Sequence, residues 1–369
     1  MSKDFTIGDV TAVPGTIQYG RWEALTHPTG QVEFLPIIIA QGKTEGPCIW
    51  LTAGIHGDEQ AGPLVIYELL GKSLIEKLKG TIVAIPALNP AGLRTMQREP
   101  YHARQDPNRV WPEDGPNRRD NADRDPPTSL EEAYARLHRE IIATGDYLID
   151  YHNAWIGSIS FILRDRILYR PDDPADRQRA EDLANRLDGM AQAYGHTVVH
   201  EYPAATYVKE RMHRTTSGAV LQRGRIPALT VELGTGAVPE PRIVDAACVG
   251  TRNVLRWAGM LTDETEAIEE VRVIRAGYPL RRMRTPRVAE ACVVRHLVKA
   301  GDRVGKGDVV AETRDVWGRP VGSGVIRAVQ EGIVIGRPRG IYFYPGQPIL
   351  IMAVRDDDPR IAPYPEAYL

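Results

Sequence analysis

The sequence predicts an α/β fold, with a mostly parallel or mixed central sheet carrying helices on both faces, followed by a small all-β domain. Three observations lead there. Apolar strand-like runs alternate with helix-spaced segments up to about residue 261, as in repeated strand and helix units. An acidic stretch, Thr262–Glu270, then has little to bury, and the chain beyond it is rich in Val, Ile, Gly and Pro without a helical pattern. The expected division is a catalytic domain over 1–262 and a β-sandwich or barrel over 271–369.

Residues 5 to 40 mix apolar and polar positions with Gly and Pro breaks and are expected to form strands. Cys48–Ala53 reads as a buried strand ending at a glycine, Pro63–Leu70 as a helix stopped by Gly71, and Thr81–Leu88 as a second strand. Ser129 and Glu132 have capping-box spacing, so a helix is expected from there to Thr144, with a strand over Asp146–Asp150. A helix over Pro174–Tyr194 ended by Gly195, a strand over Ala228–Leu233 and a helix over Ile243–Leu261 complete the alternation. In such sheets ligands gather beyond the carboxyl ends of the strands.

Composition narrows the function. Of 369 residues, 46 are basic and 48 acidic, a formal net charge of -2, so bulk charge points neither to nucleic acid nor to an anionic membrane. A small-molecule partner is expected. The first residues carry no apolar core of signal-peptide length, and no stretch approaches the roughly 18 apolar residues of a membrane helix. That suits a soluble, cytoplasmic protein. Cys48, Cys248 and Cys292 are isolated and odd in number, which argues against a disulfide framework and against thiolate zinc.

The chemistry-bearing residues stand at the expected strand ends. His56 and Glu59 fall in Gly54-Ile55-His56-Gly57-Asp58-Glu59, His152 follows the strand that includes Asp150, and Glu232 ends the Ala228 strand. A lone His-x-x-Glu is ordinarily the charged first turn of a helix, and a lone histidine at a strand end is ordinarily structural. Together they supply two imidazoles and a carboxylate for one zinc ion per chain, with an open position, and a further carboxylate, Glu232, free to act as base. Arg98, Asn108 and Arg109 form the next cluster. Guanidinium groups beside a metal polarise carbonyls or grip carboxylates. Residues 113–127 mix charges of both signs and read as a solvated loop or a lid. Tyr207, Lys209 and Arg211 are further candidate substrate contacts.

Gly-x-His-Gly-Asp-Glu, Asn-Pro-Ala-Gly with an arginine six residues on, Asp-x-Asn-Arg, Asp-x-His and Val-Glu-Leu-Gly, in that order, resemble the succinylglutamate desuccinylase and aspartoacylase family, relatives of the zinc carboxypeptidases. The resemblance spans roughly residues 30 to 260. It implies a carboxypeptidase-like fold, zinc on His56, Glu59 and His152, Glu232 as general base and acid, and Arg98 on the scissile carbonyl. Asn108 and Arg109 would bind a polar group of the substrate. Two departures, Pro107 where the family usually has Leu and Asn153 where it often has Ser, lie near the substrate pocket and bear on which substrate is used; Asn153 therefore joins the substrate-binding candidates.

The reaction expected is hydrolysis of the amide bond of a small N-acylated amino acid or related amine. A metallocarboxypeptidase acting on a short peptide is the alternative, and a ligand-binding protein without turnover a third. The tail resembles lipoyl and biotinyl carrier domains, but the hairpin Arg314–Pro320 has no lysine to carry a cofactor. Its expected role is to wall the active site or to mediate homo-oligomerisation.

Overall fold

The run Cys48–Ala53 is apolar at nearly every position because both of its faces are covered, as in the centre of a parallel sheet. In the computed structural model, which describes residues 5–113 and 126–366, it forms the buried half of a strand, Thr44–Ala53. Lys79–Ile85 lies parallel to it on one side and Tyr147–Ala154 on the other, and Ala228–Thr235 lies parallel beyond that. These four strands are the centre of the molecule.

They belong to a twelve-stranded sheet. On one side the antiparallel strands Val32–Gln41 and Thr16–Thr26 complete it. On the other, Ser160–Arg164 runs antiparallel to Ala228–Thr235, and Thr197–His200 and Leu280–Arg284 run parallel to Ser160–Arg164 in turn. Ile351–Arg355, Gly332–Gly336 and Arg303–Val304 then continue the sheet antiparallel. The sheet is therefore mixed, and it runs without a break from residues before the acidic stretch into residues after it. A separate four-stranded antiparallel sheet, containing Cys292–His296, Val309–Arg314, Pro320–Arg327 and Tyr342–Phe343, packs with Val334, Met352 and Val354 into a second core.

The helices form where their punctuation directs. Pro174–Tyr194 starts behind Asp173, whose carboxylate accepts from Ala175 N and Asp176 N, and stops at Gly195 with φ +86°. The helix Ser129–Thr144 corrects the expected capping box by one residue. Thr128 is the cap, accepting from Glu131 N while Glu131 accepts from Thr128 N, because Ser129 is already helical. Pro241–Trp257 ends earlier than expected, since the chain turns back at Gly259 with φ +74° and Met260 N bonds to Leu255 O at 2.7 Å. The strands Ser160–Arg164 and Thr197–His200 and the helices Ala204–Lys209 and Thr216–Gly224 were not anticipated from the sequence. No helix among the described residues is long and apolar enough to cross a membrane.

The end of the chain folds back onto the larger half. Ile361–Pro363 pairs in parallel with Ile167–Tyr169, and both oxygens of buried Asp356 accept from Arg166 Nη2 at 2.8 Å. Burial alone would raise the Asp356 carboxyl, yet hydrogen bonds from His200 and Arg166 hold it down to about 2. Its folded value lies below the roughly 3.9 of an unfolded aspartate, so this ion pair stabilises the fold above about pH 4, and that contribution is lost as pH falls from there toward 2. Asp356→Asn leaves Arg166 buried without its counter-charge. We expect a loss of about 3 kcal/mol in urea unfolding at neutral pH, shrinking as the comparison is repeated at lower pH.

Candidate active site

Each strand of the central four delivers one part of a single cluster. The turn after Thr44–Ala53 carries His56 and Glu59, and two glycines make it possible. Gly54 adopts φ +65°, and a Cβ on Gly57 would lie 1.9 Å from the carbonyl carbon of Gly92. That close approach is held by Asn89, the cap of the short helix Pro90–Thr95 that follows the neighbouring strand: its Nδ2 donates to Ile55 O at 3.1 Å and its Oδ1 accepts from Gly92 N at 2.8 Å. His152 sits inside the strand Tyr147–Ala154 rather than after it, directly opposite Glu232 in register.

His56, Glu59 and His152 are all buried. Glu59 spans the two rings, with Oε1 2.7 Å from His56 Nδ1 and Oε2 2.8 Å from His152 Nδ1. Behind the rings stand two aspartates. His152 Nε2 is 2.9 Å from Asp150 Oδ2, and His56 Nε2 is 3.1 Å from Asp106 Oδ1. Ionised carboxylates only accept, so each Nε2–H donates to its aspartate and each Nδ1 is turned on Glu59. Asp150 is fixed in turn by Thr52, whose hydroxyl donates to its Oδ1 at 2.7 Å from the paired strand.

This arrangement tests whether a metal fits. One donor atom from each of the three residues lies within 4.8 Å of the others, so the group could hold an ion. Imidazoles that donate their far N–H to carboxylates are oriented as metal ligands are. Without an ion, a proton must serve between ring and carboxylate. Burial alone would raise Glu59, but His56 and His152 hold it well below the usual range. Burial alone would lower His152, but Asp150 and Glu59 hold it well above. The donor set thus demands positive charge at its centre, and the chemistry of two nitrogens and a carboxylate suits zinc.

Around the cluster opens a cavity of about 580 Å³. Glu232 lines it, with Oε2 buried and lacking any hydrogen-bond partner among the described residues. Burial raises its carboxyl to about 7, with the neighbouring Glu59 adding to the effect. Arg98 lies at the mouth, with Nη2 2.8 Å from Asp106 Oδ2 and Nη1 3.3 Å from His56 Nδ1. Burial alone would raise Asp106, but His56 and Arg98 hold it low. Arg109 lines the cavity and ties to Glu210 O at 3.0 Å and Asn108 O at 2.7 Å. Asn108 also lines it, its Oδ1 accepting from Thr216 N at 2.8 Å and its Nδ2 lying 3.4 Å from His152 Nε2.

Two expected substrate contacts read differently in place. Tyr207 is fully buried and does not line the cavity. Its ring packs with Leu168, Tyr202 and Met212, and its hydroxyl hydrogen-bonds the side chain of Asp165, so it stands one layer behind the wall. Lys209 and Arg211 are exposed and away from the cavity lining. Asn153 does line the cavity, yet its amide is consumed: Oδ1 accepts from Ala61 N, and Nδ2 donates to Leu233 O and Thr235 O. Its backbone N–H donates to Glu59 Oε2 at 3.0 Å, which makes it a clasp for the cluster. Of the loop read as a lid, residues 114–125 lie outside the described residues.

Asp106, Asp165, Glu201, Arg282 and Arg339 also line the cavity, and sequence reasoning assigns them no role. Arg282 and Arg339 come from beyond the acidic stretch, Arg339 pairing with Asp58 at 3.1 Å. Asp165 and Glu201 each follow an apolar strand, the same signal that marked Glu232, but those strands had not been recognised.

A mixed α/β sheet with a buried His-Glu-His group at the carboxyl ends of its parallel strands defines an α/β enzyme with a candidate metal centre. The chain belongs to the succinylglutamate desuccinylase/aspartoacylase family: residues 45–258 match the model of that family's catalytic domain. It is thereby a hydrolase of the deacylase kind, acting on amides. N-alpha-acetyl-L-2,4-diaminobutyric acid deacetylase of Halomonas elongata is 24% identical over 311 residues, covering 82% of this chain and 80% of that one. Among solved structures, an aspartoacylase family protein from Mesorhizobium loti aligns with a TM-score of 0.69 at 18% identity, over 93% of this chain and 96% of its own. The product-bound ectoine utilization protein EutE (DoeB) from Ruegeria pomeroyi aligns with 0.69 at 20% identity, over 92% and 95%. These likenesses extend through the C-terminal strands.

Asp150 orients His152 from behind, so its loss should weaken the hold on any ion bound there rather than remove a candidate ligand. Asp150→Asn is expected to weaken zinc binding by about 10- to 100-fold, read by competition with a chromogenic chelator.

Proposed function

We propose that the protein hydrolyses the amide bond of a small N-acylated amino acid or related amine, with zinc on His56, Glu59 and His152 and with Glu232 as proton carrier. The observation that carries this is Glu232 itself: a buried carboxylate with a free oxygen, paired in register with His152, whose affinity for a proton has been raised toward neutrality. A zinc ion, when bound there, supplies a Lewis acid and an acidified water.

The chain's own groups account for the rest. Glu232 takes a proton from water as its oxygen bonds to the amide carbon. It returns that proton to the nitrogen as the C–N bond breaks and the electron pair leaves with the amine. Arg98, already turned toward Glu59 with Nη1 3.5 Å from Oε1, would donate to the carbonyl oxygen as that atom gains negative charge. Arg109 has a guanidinium held in place by two backbone carbonyls, so it would receive a carboxylate of the substrate without much loss of side-chain freedom. Asn108 supports it through its own carbonyl. The products are a free acid and a free amine.

The test is release of acetate or succinate from a panel of N-acyl amino acids, the substrate of the Halomonas enzyme among them. Glu232→Gln should cut kcat by about 100- to 10,000-fold while the zinc content per chain, measured by atomic emission, stays at the wild-type level. Normal turnover in that variant, or release of a C-terminal amino acid from peptides in preference to an acyl group, would overturn the assignment.

A further inference from the structure

Glu232 has to point at one place for the reaction above, yet its Oε2 is buried without a hydrogen-bond partner among the described residues. A carboxyl group free in this way takes its aim from its backbone. That backbone is irregular directly after it. Along the two parallel strands Glu232 stands opposite His152 and Thr235 opposite Ala154, so Leu233 and Gly234 together face Asn153, and Gly234 adopts φ +71°. This is a β-bulge, which interrupts the regular ladder and re-aims the side chains beside it.

One side chain holds the bulge. Asn153 Nδ2 donates to Leu233 O at 2.8 Å and to Thr235 O at 3.1 Å, the carbonyls that flank Gly234. Its Oδ1 accepts at 3.0 Å from the backbone N–H of Ala61, the first residue of the helix Ala61–Leu69 that follows the His56–Glu59 turn. A carboxamide supplies two hydrogens and an acceptor from one short side chain, whereas a serine there would have a single hydrogen to give. From the other flank Ser160, in register with Leu233 on the antiparallel strand, donates its hydroxyl to Glu232 O at 3.0 Å. We propose that Asn153 is a positioning residue for Glu232: by filling the bulge and tying it to the helix after Glu59, its amide sets where the proton carrier stands relative to His56, Glu59 and His152. This rests on the reading of Glu232 as proton carrier, whereas the hold on the bulge does not. The amide is spent inside the wall, so Asn153 acts through Glu232 and not on a substrate. Its backbone N–H, which donates to Glu59 Oε2, is unchanged by truncation of the side chain, so alanine at 153 releases the bulge and leaves that donor in place.

The test is a double-mutant cycle on the zinc-loaded full chain, using whichever N-acyl amino acid of the panel above is turned over fastest. Asn153→Ala alone should lower kcat by on the order of 100-fold with KM little changed, because the base is misplaced while the contacts that bind substrate remain. In a Glu232→Gln background the same truncation should cost nothing further, since the position of an absent base is immaterial. Zinc content per chain and thermal unfolding check that metal and fold are kept. Where alanine does not fold, Asn153→Ser goes through the same cycle, with a smaller fall expected. A wild-type kcat in the single variant overturns the assignment, and so does a fall by the same factor in both backgrounds, the signature of a structural role. Hydrogen exchange read by mass spectrometry follows the bulge without turnover: Asn153→Ala should speed exchange at residues 233–236 and leave the helix Ser129–Thr144 at its wild-type rate. Unchanged exchange at the bulge overturns the hold. If the wild type hydrolyses no N-acyl compound while the bulge loosens in the variant, the deacylase reading falls and the hold of Asn153 on the Glu232 strand stands.

Discussion

Two imidazoles cannot both turn an unprotonated nitrogen toward one ionised carboxylate unless positive charge stands between them. That constraint organises the centre of this molecule. Asp150 and Asp106 occupy the far N–H groups of His152 and His56, so the near nitrogens converge on Glu59. The alternation of acid and base runs from Asp106 through His56, Glu59 and His152 to Asp150, and then through Thr52 back to the strand from which the His56 turn departs. Two of these links, Glu59 to His152 and Asp150 to Thr52, join the strand Thr44–Ala53 and its turn to the strand Tyr147–Ala154 that the parallel sheet has already placed beside it. The cluster is therefore assembled by strand register, with the Gly57–Gly92 approach and the Asn153 clasp closing it from either side.

Much of this was legible in the sequence because ionisable residues at the ends of apolar strands are conspicuous. His56, Glu59, His152 and Glu232 were all visible on that ground, and the structure brings them to one cavity. Asp165 and Glu201 obey the same rule but follow strands of five and four residues, too short to stand out against neighbouring loops. Tyr207 was misplaced for a related reason. A polar aromatic near a predicted cleft looks like a contact, yet its ring fills a satellite core and only its hydroxyl reaches toward the wall. Short segments carry little periodicity, and which side of a wall a residue occupies depends on packing with residues distant in sequence.

The acidic stretch after Leu261 marks a change in composition that is not an interruption of the sheet. Leu280–Arg284 hydrogen-bonds alongside Thr197–His200 and passes the sheet on to Ile351–Arg355. Arg282 and Arg339 then enter the cavity from the later part of the chain. Asp356, clamped by Arg166 and His200, and the strand Ile361–Pro363 return the chain to the larger half. Surface composition reports what solvent sees, whereas hydrogen-bond pairing decides where one structural unit ends.

The antiparallel step from Ala228–Thr235 to Ser160–Arg164 sets the direction of Thr197–His200 and Leu280–Arg284 beyond it. Strands on the Glu232 side finish at one end of the sheet, carrying His56, Asn89 and Glu232; Ser160–Arg164 and Thr197–His200 finish at the other, carrying Asp165 and Glu201. The cavity consequently extends along the face of the sheet between two sets of strand termini that point in opposite senses. A molecule long enough to lie along this face would meet His56, Glu59, His152 and Glu232 at one end and Asp165 and Glu201 at the other.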